Sequence, residues 1–339
     1  MRAFLTYLAI ALLGSIALSI FMVTYSRTPY PSTVGPTFDD NVDQANRQGI
    51  EAQKPDVVVL GDSLVEENVD APALGRLLGK QVYPMAYPGS SSAVWYLAMK
   101  NLIAAASYHP PVVVIIFRDD MLTAPAYRVN GRYFISVDAL ASSSDTLAAQ
   151  LAYINQMTPL EQWADAYFPL YDLRLKVREK IDHSLRYTLT QDILKCGKRC
   201  TDAAMDTELR TANMEMNMLS EAIFTAESYL YSPALLDFHR QLPRSFLPEI
   251  IRIAQENDIH LIFVRSKTLI FPTRASEPAG LAAYLADLQT YLGANGASYV
   301  DLNTGNIPAE YFLDGVHMRP DGKAVYTEVL GEALLSLIH

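Results

Sequence analysis

The chain has 339 residues, of which 50% are hydrophobic and 19% charged, with a formal net charge of −10. That length supports one large or two ordinary domains with a substantial core, and that apolar content excludes a disordered polymer. An acidic chain repels phosphate backbones, so nucleic acid is not an expected partner.

Between Arg2 and Arg27, Phe4 to Tyr25 carries no charged residue. A run of that length spans a bilayer as a helix, which takes roughly 20 apolar residues. The competing reading is a cleaved secretory signal, with Ser15, Ala17 and Ser19 as small residues for cleavage. Hydrophobicity continues through Ile20, Phe21, Met22 and Val23, which favours an uncleaved anchor. Both readings send the rest of the chain out of the cytoplasm. Residues 1–25 are thus expected as a transmembrane anchor. Residues 26–53, with Pro29, Pro31, Gly35 and Pro36, are expected as a stalk ending in a short helix around 41–52. The globular domain is expected over 54–339.

Val57, Val58, Val59 and Leu60 run straight into Gly61-Asp62-Ser63-Leu64. A short apolar run ending at glycine predicts a buried strand with a tight turn after it. A serine there sits at the carboxyl edge, where α/β sheets place their ligands. The plain alternative is turn chemistry, since Gly, Asp and Ser all favour turns.

A helix is predicted over 66–79, with Gly79 as its stop, and a short strand over 81–87, whose Pro84 suits an edge. Pro88-Gly89-Ser90 follows, and its glycine allows a sharp turn with the N–H facing a ligand. After a helix-like 93–107 stretch, Val112-Val113-Val114-Ile115-Ile116-Phe117 is the strongest strand in the chain, ending in Arg118-Asp119-Asp120. Strand, helix, strand, helix, strand, with β-branched first and third strands, predicts a parallel sheet buried on both faces. Its strand ends deliver Ser63, Gly89 and Arg118/Asp119 to one rim.

Residues 127–243 break the alternation and predict a mostly helical insertion, with helices near 145–156, 170–189 and 207–230. Met205, Met214, Met216 and Met218 suit either core filling or a flexible apolar groove. The basic 170–186 stretch suits a solvated helix face or an anionic partner. Cys196 and Cys200 suit a local disulfide in an oxidising compartment or two free thiols. With only His183 nearby they fall short of a zinc ligand set, so neither a metal nor a cofactor is expected.

The α/β rhythm resumes with a helix over 245–257 and a strand over 259–264 leading to Arg265. A helix over 281–293, a strand over 297–302 and a closing helix over 323–338 complete it. Before that last helix lies Asp314-Gly315-Val316-His317 in a Gly- and Pro-punctuated loop, a setting that presents His317 outward.

A serine hydroxyl is a poor nucleophile until a base takes its proton, and the base needs a partner that fixes its tautomer. Ser63, His317 and Asp314 supply those roles, and one turn brings an Asp to a His three residues on. The N–H groups of Ser63 and Gly89 are candidate oxyanion donors.

Here the chain resembles the SGNH/GDSL hydrolase superfamily. Gly61-Asp62-Ser63-Leu64 matches the nucleophile block, Gly89 the second-block glycine, and Asp314-Gly315-Val316-His317 the terminal Asp-x-x-His block. The resemblance covers roughly residues 55–125 and 245–335. It implies a flavodoxin-like three-layer α/β/α domain with a parallel sheet. It also implies Ser63 as nucleophile, His317 as base and Asp314 as its orienter.

The third block departs from the pattern. The family usually reads Gly-x-Asn-Asp there, with the Asn as oxyanion donor, whereas this chain reads Phe117-Arg118-Asp119-Asp120. An ionised Asp119 cannot donate a hydrogen bond. Either Arg118 replaces the Asn, helped by Arg265, or the hole has backbone donors only, and losing one donor typically costs about 3 kcal/mol. Asp62, Asp119 and Arg265 are thus the further residues of interest. Arg118→Ala is expected to lower turnover with little effect on folding stability.

The anchor, the polar stalk and an exported domain of this kind also resemble the membrane-tethered partners of membrane-bound O-acyltransferases. That resemblance implies an envelope O-acyltransferase, most simply an O-acetyltransferase, acting on a surface or extracellular polysaccharide. Ser63 would carry an acyl group received from the multi-spanning partner. The domain would be anchored in the inner membrane of a bacterial envelope, facing the periplasm or the exterior. The same triad with water as acceptor is an exported esterase or deacetylase, and the altered third block supports a slow glycan-binding or scaffold protein.

Overall fold

The computed structural model describes residues 2–25, 30–184, 227–271, 273–305 and 307–338, with single positions 195, 221, 224 and 225. Cys196, Cys200 and the four clustered methionines lie outside the described residues.

The sheet comprises β1 (Val57–Gly61), β2 (Val82–Ala86), β3 (Val112–Phe117), β4 (His260–Arg265) and β5 (Ser298–Asp301). All pairings are parallel, in the order β2-β1-β3-β4-β5. This is the flavodoxin-like order, in which the winding reverses between β1 and β3 and opens a crevice at their carboxyl ends. Gly61 is in register with Ile116, and Phe117 with Arg265, so the residues after β1, β3 and β4 emerge on one rim.

Burial follows from that order. β1 and β3 are buried along their whole length, as their β-branched sequences require between two helical layers. β2 is half-exposed at the edge, where Pro84 costs no ladder hydrogen bond on its open side.

Right-handed crossovers running in opposite directions place their helices on opposite faces of a sheet. The chain leaves β1 towards β2 through Ser63–Asn68 and Ala71–Leu78, and the closing helix Pro320–Leu335 packs against both. It then returns across β1 to β3 through Ser92–Ala98, against which Leu247–Glu256 packs.

Three expectations change in the structure. The helix predicted over 66–79 is two helices, because the Asp70 carboxylate caps the second by accepting from the Ala73 N–H. Gly79 ends it as expected, at φ +62°. The stretch predicted as one helix over 93–107 widens after Ala98 into a π-helical turn, Met99–Ile103. The third change is the stalk: from residue 30 onward that segment is part of the folded domain. Phe38 and Ile50 are buried, Phe38 packs on Phe134 and Tyr153, and the Gly35 N–H donates to Asp165 at 2.7 Å. Two apolar side chains and a paired backbone amide hold down a stretch whose prolines suggest free chain. Its terminal helix is Ala45–Gln53.

Beyond the core, the described part of the insertion is helical as expected, including Thr146–Ala152, Pro159–Tyr167 and Arg174–His183. Arg2–Tyr25 is one helix, long and apolar enough to cross a bilayer, with most of its large side chains exposed.

Gly61 is where sheet and site meet. A Cβ there would lie 2.8 Å from Val65 Cγ2 and 2.9 Å from the Ile116 carbonyl oxygen. Backbone cannot yield as a flexible side chain can, so Gly61→Ala is expected to destabilise the domain by about 1–3 kcal/mol. Urea unfolding of the two proteins measures it, and an unchanged midpoint would mean that β1 and β3 are not this close.

Candidate active site

Ser63 is the first residue of its helix, directly after β1, and Asp62 is the N-cap, its carboxylate accepting from the Leu64 N–H at 2.9 Å. The hydroxyl of Ser63 is therefore set at the switch point by a capped helix start. His317 reaches it from the last loop: Ser63 Oγ and His317 Nε2 are 2.8 Å apart. His317 Nδ1 lies 2.7 Å from Asp314 Oδ2, while Asp314 Oδ1 accepts the N–H groups of Val316 and His317 at 2.7 and 2.8 Å. The Asp-x-x-His spacing thus works as one turn closed by its own carboxylate. With Nδ1 donating to Asp314, Nε2 is left to accept the serine proton.

The electrostatics match that arrangement. Burial alone would raise the Asp314 carboxyl, but its bond to His317 and the imidazole charge hold it below its usual value. Burial alone would lower His317, but the bond to Asp314 and that carboxylate's charge raise it above its usual value. Stability from the Asp314 carboxylate is present above its usual pKa and is lost as pH falls through its lowered one. Stability from His317 is present below its usual pKa and is lost as pH rises through its raised one. Asp62 beside them is pushed up by burial, opposed by the Arg118 charge.

A residue that sequence reasoning passed over ties the two halves together. Asn68, at the end of the Ser63 helix and fully buried, donates from Nδ2 to the Val316 carbonyl at 3.0 Å. Its Oδ1 accepts from the Met318 N–H at 2.8 Å. Asn68 therefore grips the backbone on both sides of His317. The only signal in the sequence is a polar residue one helical turn beyond the serine block, and that pattern is common on solvent-facing helices.

Gly89 lies at φ +74° in a Tyr87-Pro88-Gly89-Ser90 turn closed by the Ser90 N–H to the Tyr87 carbonyl at 2.9 Å. Proline second and a positive-φ glycine third is the type II pattern. It leaves the Gly89 N–H out of the turn's own bond. The Ser63 N–H, first in its helix, likewise has no intrahelical acceptor.

Arg118 departs from expectation. It is buried, and its two terminal nitrogens donate to Glu227 at 3.0 and 3.3 Å. Glu227 also accepts from Tyr127 and from Arg128. The guanidinium is thus held by the insertion rather than aimed as a free donor at an oxyanion, and it acts on Asp62 and His317 through its charge.

Asp119 and Arg265 form a second cluster. Asp119, at φ +43° in the left-handed region that Asp tolerates, accepts from Arg265 Nε and Nη2 at 3.0 and 2.7 Å and from the Tyr231 hydroxyl at 2.7 Å. Arg265 also meets Glu277 and Asp301. Its fork serves these carboxylates, not the serine. Asp120 is buried beside them, and burial and the neighbouring Asp119 push its carboxyl well up. Among the described residues no group of His, Cys, Asp and Glu is arranged to hold a metal ion.

What the fold and site define is a parallel α/β domain with a Ser–His–Asp array at its switch point. No family model and no curated protein matches the chain. Among solved structures it is similar to a Bacteroides fragilis protein assigned as an acylhydrolase, at 13% identity and TM-score 0.40 over 84% of this chain and 88% of that one. A GDSL-like lipase from Bacteroides thetaiotaomicron has 13% identity and TM-score 0.36, over 83% of this chain and 88% of the lipase. An assigned arylesterase from Agrobacterium tumefaciens has 12% identity and TM-score 0.33, over 84% of this chain and 99% of the esterase. Similarity at this level leaves the functional reading to the site itself.

Two outcomes are expected. His317 must be neutral to act as base, so kcat/KM for an activated ester should rise with pH through a midpoint above 6.5, the usual imidazole value. Asp314→Asn should move that midpoint down and lower the plateau by about 10⁴-fold; a pH–rate profile of both proteins decides it. Arg118→Ala should also destabilise the fold, against the expectation from sequence, because it strands the buried Glu227. The cost falls towards the lower end of about 3–5 kcal/mol, since Arg128 and Tyr127 still serve that carboxylate. Denaturant titration measures it, and a loss under 1 kcal/mol would remove the ion pair from the stability of the domain.

Proposed function

We propose that the protein is a serine acyltransferase of the SGNH type, carrying an acyl group, most simply acetyl, on Ser63 and passing it to a hydroxyl of an envelope polysaccharide. The observation that carries the acyl-enzyme step is the relay from Ser63 Oγ to His317 Nε2 at 2.8 Å and from His317 Nδ1 to Asp314 at 2.7 Å. Ser63 Oγ attacks the acyl carbonyl carbon while His317 Nε2 takes the hydroxyl proton. The oxyanion meets the N–H groups of Ser63 and Gly89, and His317 returns the proton to the leaving oxygen as the acyl–Ser63 ester forms. In the second half the acceptor hydroxyl gives its proton to His317 and attacks that ester, and His317 returns the proton to the leaving Ser63 Oγ.

The membrane setting supports the transfer reading. Arg2–Tyr25 exposes most of its large apolar side chains, as a lipid-facing helix does, and would tether the domain to the inner membrane beside a multi-spanning acyl donor. Residues 30–53 pack onto the domain through Phe38, Ile50 and the Gly35 N–H, so this segment is not a free stalk. A second reading, esterase or deacetylase, is favoured by the partial exposure of the His317 side chain, at 26%, which admits water as the acceptor.

A serine-directed fluorophosphonate is expected to label the full chain, and Ser63→Ala and His317→Ala to abolish labelling. Absence of labelling in the unmodified protein would sink the acyl-enzyme reading and favour a scaffold. With an activated acetyl ester as donor, acetate appearing on an added oligosaccharide supports transfer, and free acetate alone makes the protein an esterase.

A further inference from the structure

A cavity of about 730 Å³ that the acyl-enzyme relay does not use opens within the insertion, lined also by Ala124–Ala126 and Arg244 at its two ends. It lies between the segment after β3 and the chain leading into Leu247–Glu256. Its size falls in the range of small-ligand sites, about 300–1,000 Å³. Tyr127, Tyr229, Asn155, Gln156, Gln162 and Gln241 supply its polar and aromatic lining, and Arg244 is the one charged residue among those that line it.

That composition selects by chemistry. With no carboxylate in the lining, a cation finds no counter-charge, and a single exposed arginine is too little for a polyphosphate. Four carboxamides are a poor lining for a purely apolar ligand, since each amide loses water without a partner. Hydroxyl groups that both donate and accept suit carboxamides, which also do both. The negative face of a tyrosine ring suits the weakly positive C–H face of a pyranose.

The amides are also preorganised. Gln156 Nε2 donates to the Leu151 carbonyl at 3.1 Å, Gln241 Nε2 to Ala234 at 2.8 Å, and Gln162 Nε2 to Ile154 and Met157, both at 3.4 Å. Backbone carbonyls accept only from the NH₂ side, so these bonds fix each amide's orientation and leave Oε1 for a ligand hydroxyl. Tyr229 stands 58% exposed as an open ring face.

The cleft joins the catalytic rim through covalent and ionic neighbours. The Tyr127 hydroxyl donates to Glu227, which holds Arg118, and the Tyr127 carbonyl accepts from Ser91 in the segment after Gly89. Tyr229 follows Glu227 by two residues.

We infer that this cleft binds an oligosaccharide stretch, stacked on Tyr229 and hydrogen-bonded by the Gln156, Gln162 and Gln241 carbonyl oxygens. As an acceptor subsite it rests on the acyl-transfer reading; as a carbohydrate site it does not. Arg244 adapts it to an acidic sugar.

Cellohexaose, a hexamer of N-acetylglucosamine and a mannuronate hexamer are titrated separately against the full chain in detergent micelles, by isothermal calorimetry and saturation-transfer NMR. At least one is expected to bind. Tyr229→Ala and the pair Gln162→Ala/Gln241→Ala should each weaken it about tenfold. Ser63→Ala should bind with unchanged Kd, and Arg244→Ala should weaken the mannuronate hexamer selectively. Thermal melting checks each variant for folding, and Gln156→Ala replaces any that fails to fold. Binding of none of the three hexamers, or binding that the cleft variants leave intact, overturns the inference. Loss of fluorophosphonate labelling with retained hexamer binding would instead sink the Ser63 reading and leave a glycan-binding protein.

Discussion

The carboxylate of Asp314 does two jobs with its two oxygens. One closes the turn by accepting two backbone N–H groups, and the other fixes the imidazole of His317. Because one rigid group does both, the closed turn fixes the carboxylate that orients the ring. Asn68 makes the same economy from the opposite side, spanning the backbone around His317 from the helix that Ser63 begins. The serine and histidine lie 254 residues apart in sequence, yet their separation in space is set by a buried amide and a turn rather than by long-range packing alone. Catalytic geometry of this kind is useful only when supporting groups are themselves immobile, and burial of Asn68 supplies that immobility.

The third strand end is built from ion pairs. Arg118 and Asp119 point into different ion clusters, one closed by Glu227 of the insertion and the other by Arg265 with Glu277 and Asp301. Each buried guanidinium is matched by carboxylates, as its desolvation demands. The rim is therefore polar and rigid, but its fixed charges face one another. Under the acyl-enzyme proposal an oxyanion would therefore have to rely on the backbone N–H groups of Ser63 and Gly89, since the Arg118 guanidinium is engaged by Glu227.

Much of this was legible in the chain, for definable reasons. β1 and β3 announce themselves because a strand buried on both faces must be apolar at every position, and Pro84 announces an edge because it has no N–H to give. The Ser63 and His317 loops were legible because glycine and aspartate punctuate them. What was hidden depends on partners far along the chain. Nothing near Arg118 in sequence foretells Glu227, 109 residues on, and nothing in the proline-rich 30–53 segment foretells that Phe38 will meet Phe134 and Tyr153. The helix break at Val69 and Asp70 was in principle readable, since Asp followed by Ala-Pro is a helix-start signature. The apolar periodicity over 69–78 masked it.

The insertion is tied to the third strand end by charge. Glu227 accepts from Arg118 on one side and from Tyr127 and Arg128 on the other, so moving the segment that carries it would leave the buried Arg118 without its counter-charge. The cost of such a movement is the cost of an unpaired buried charge, several kcal/mol. A ligand that rests on Tyr229, two residues beyond Glu227, therefore bears on a segment locked to the third strand end. The Arg118–Glu227 ion pair and the bond from the Ser91 hydroxyl to the Tyr127 carbonyl join the cleft to the segments after β3 and β2. If Ser63 carries an acyl group, the same relay would serve transfer and hydrolysis alike, and an acceptor held in a fixed position is what would favour transfer.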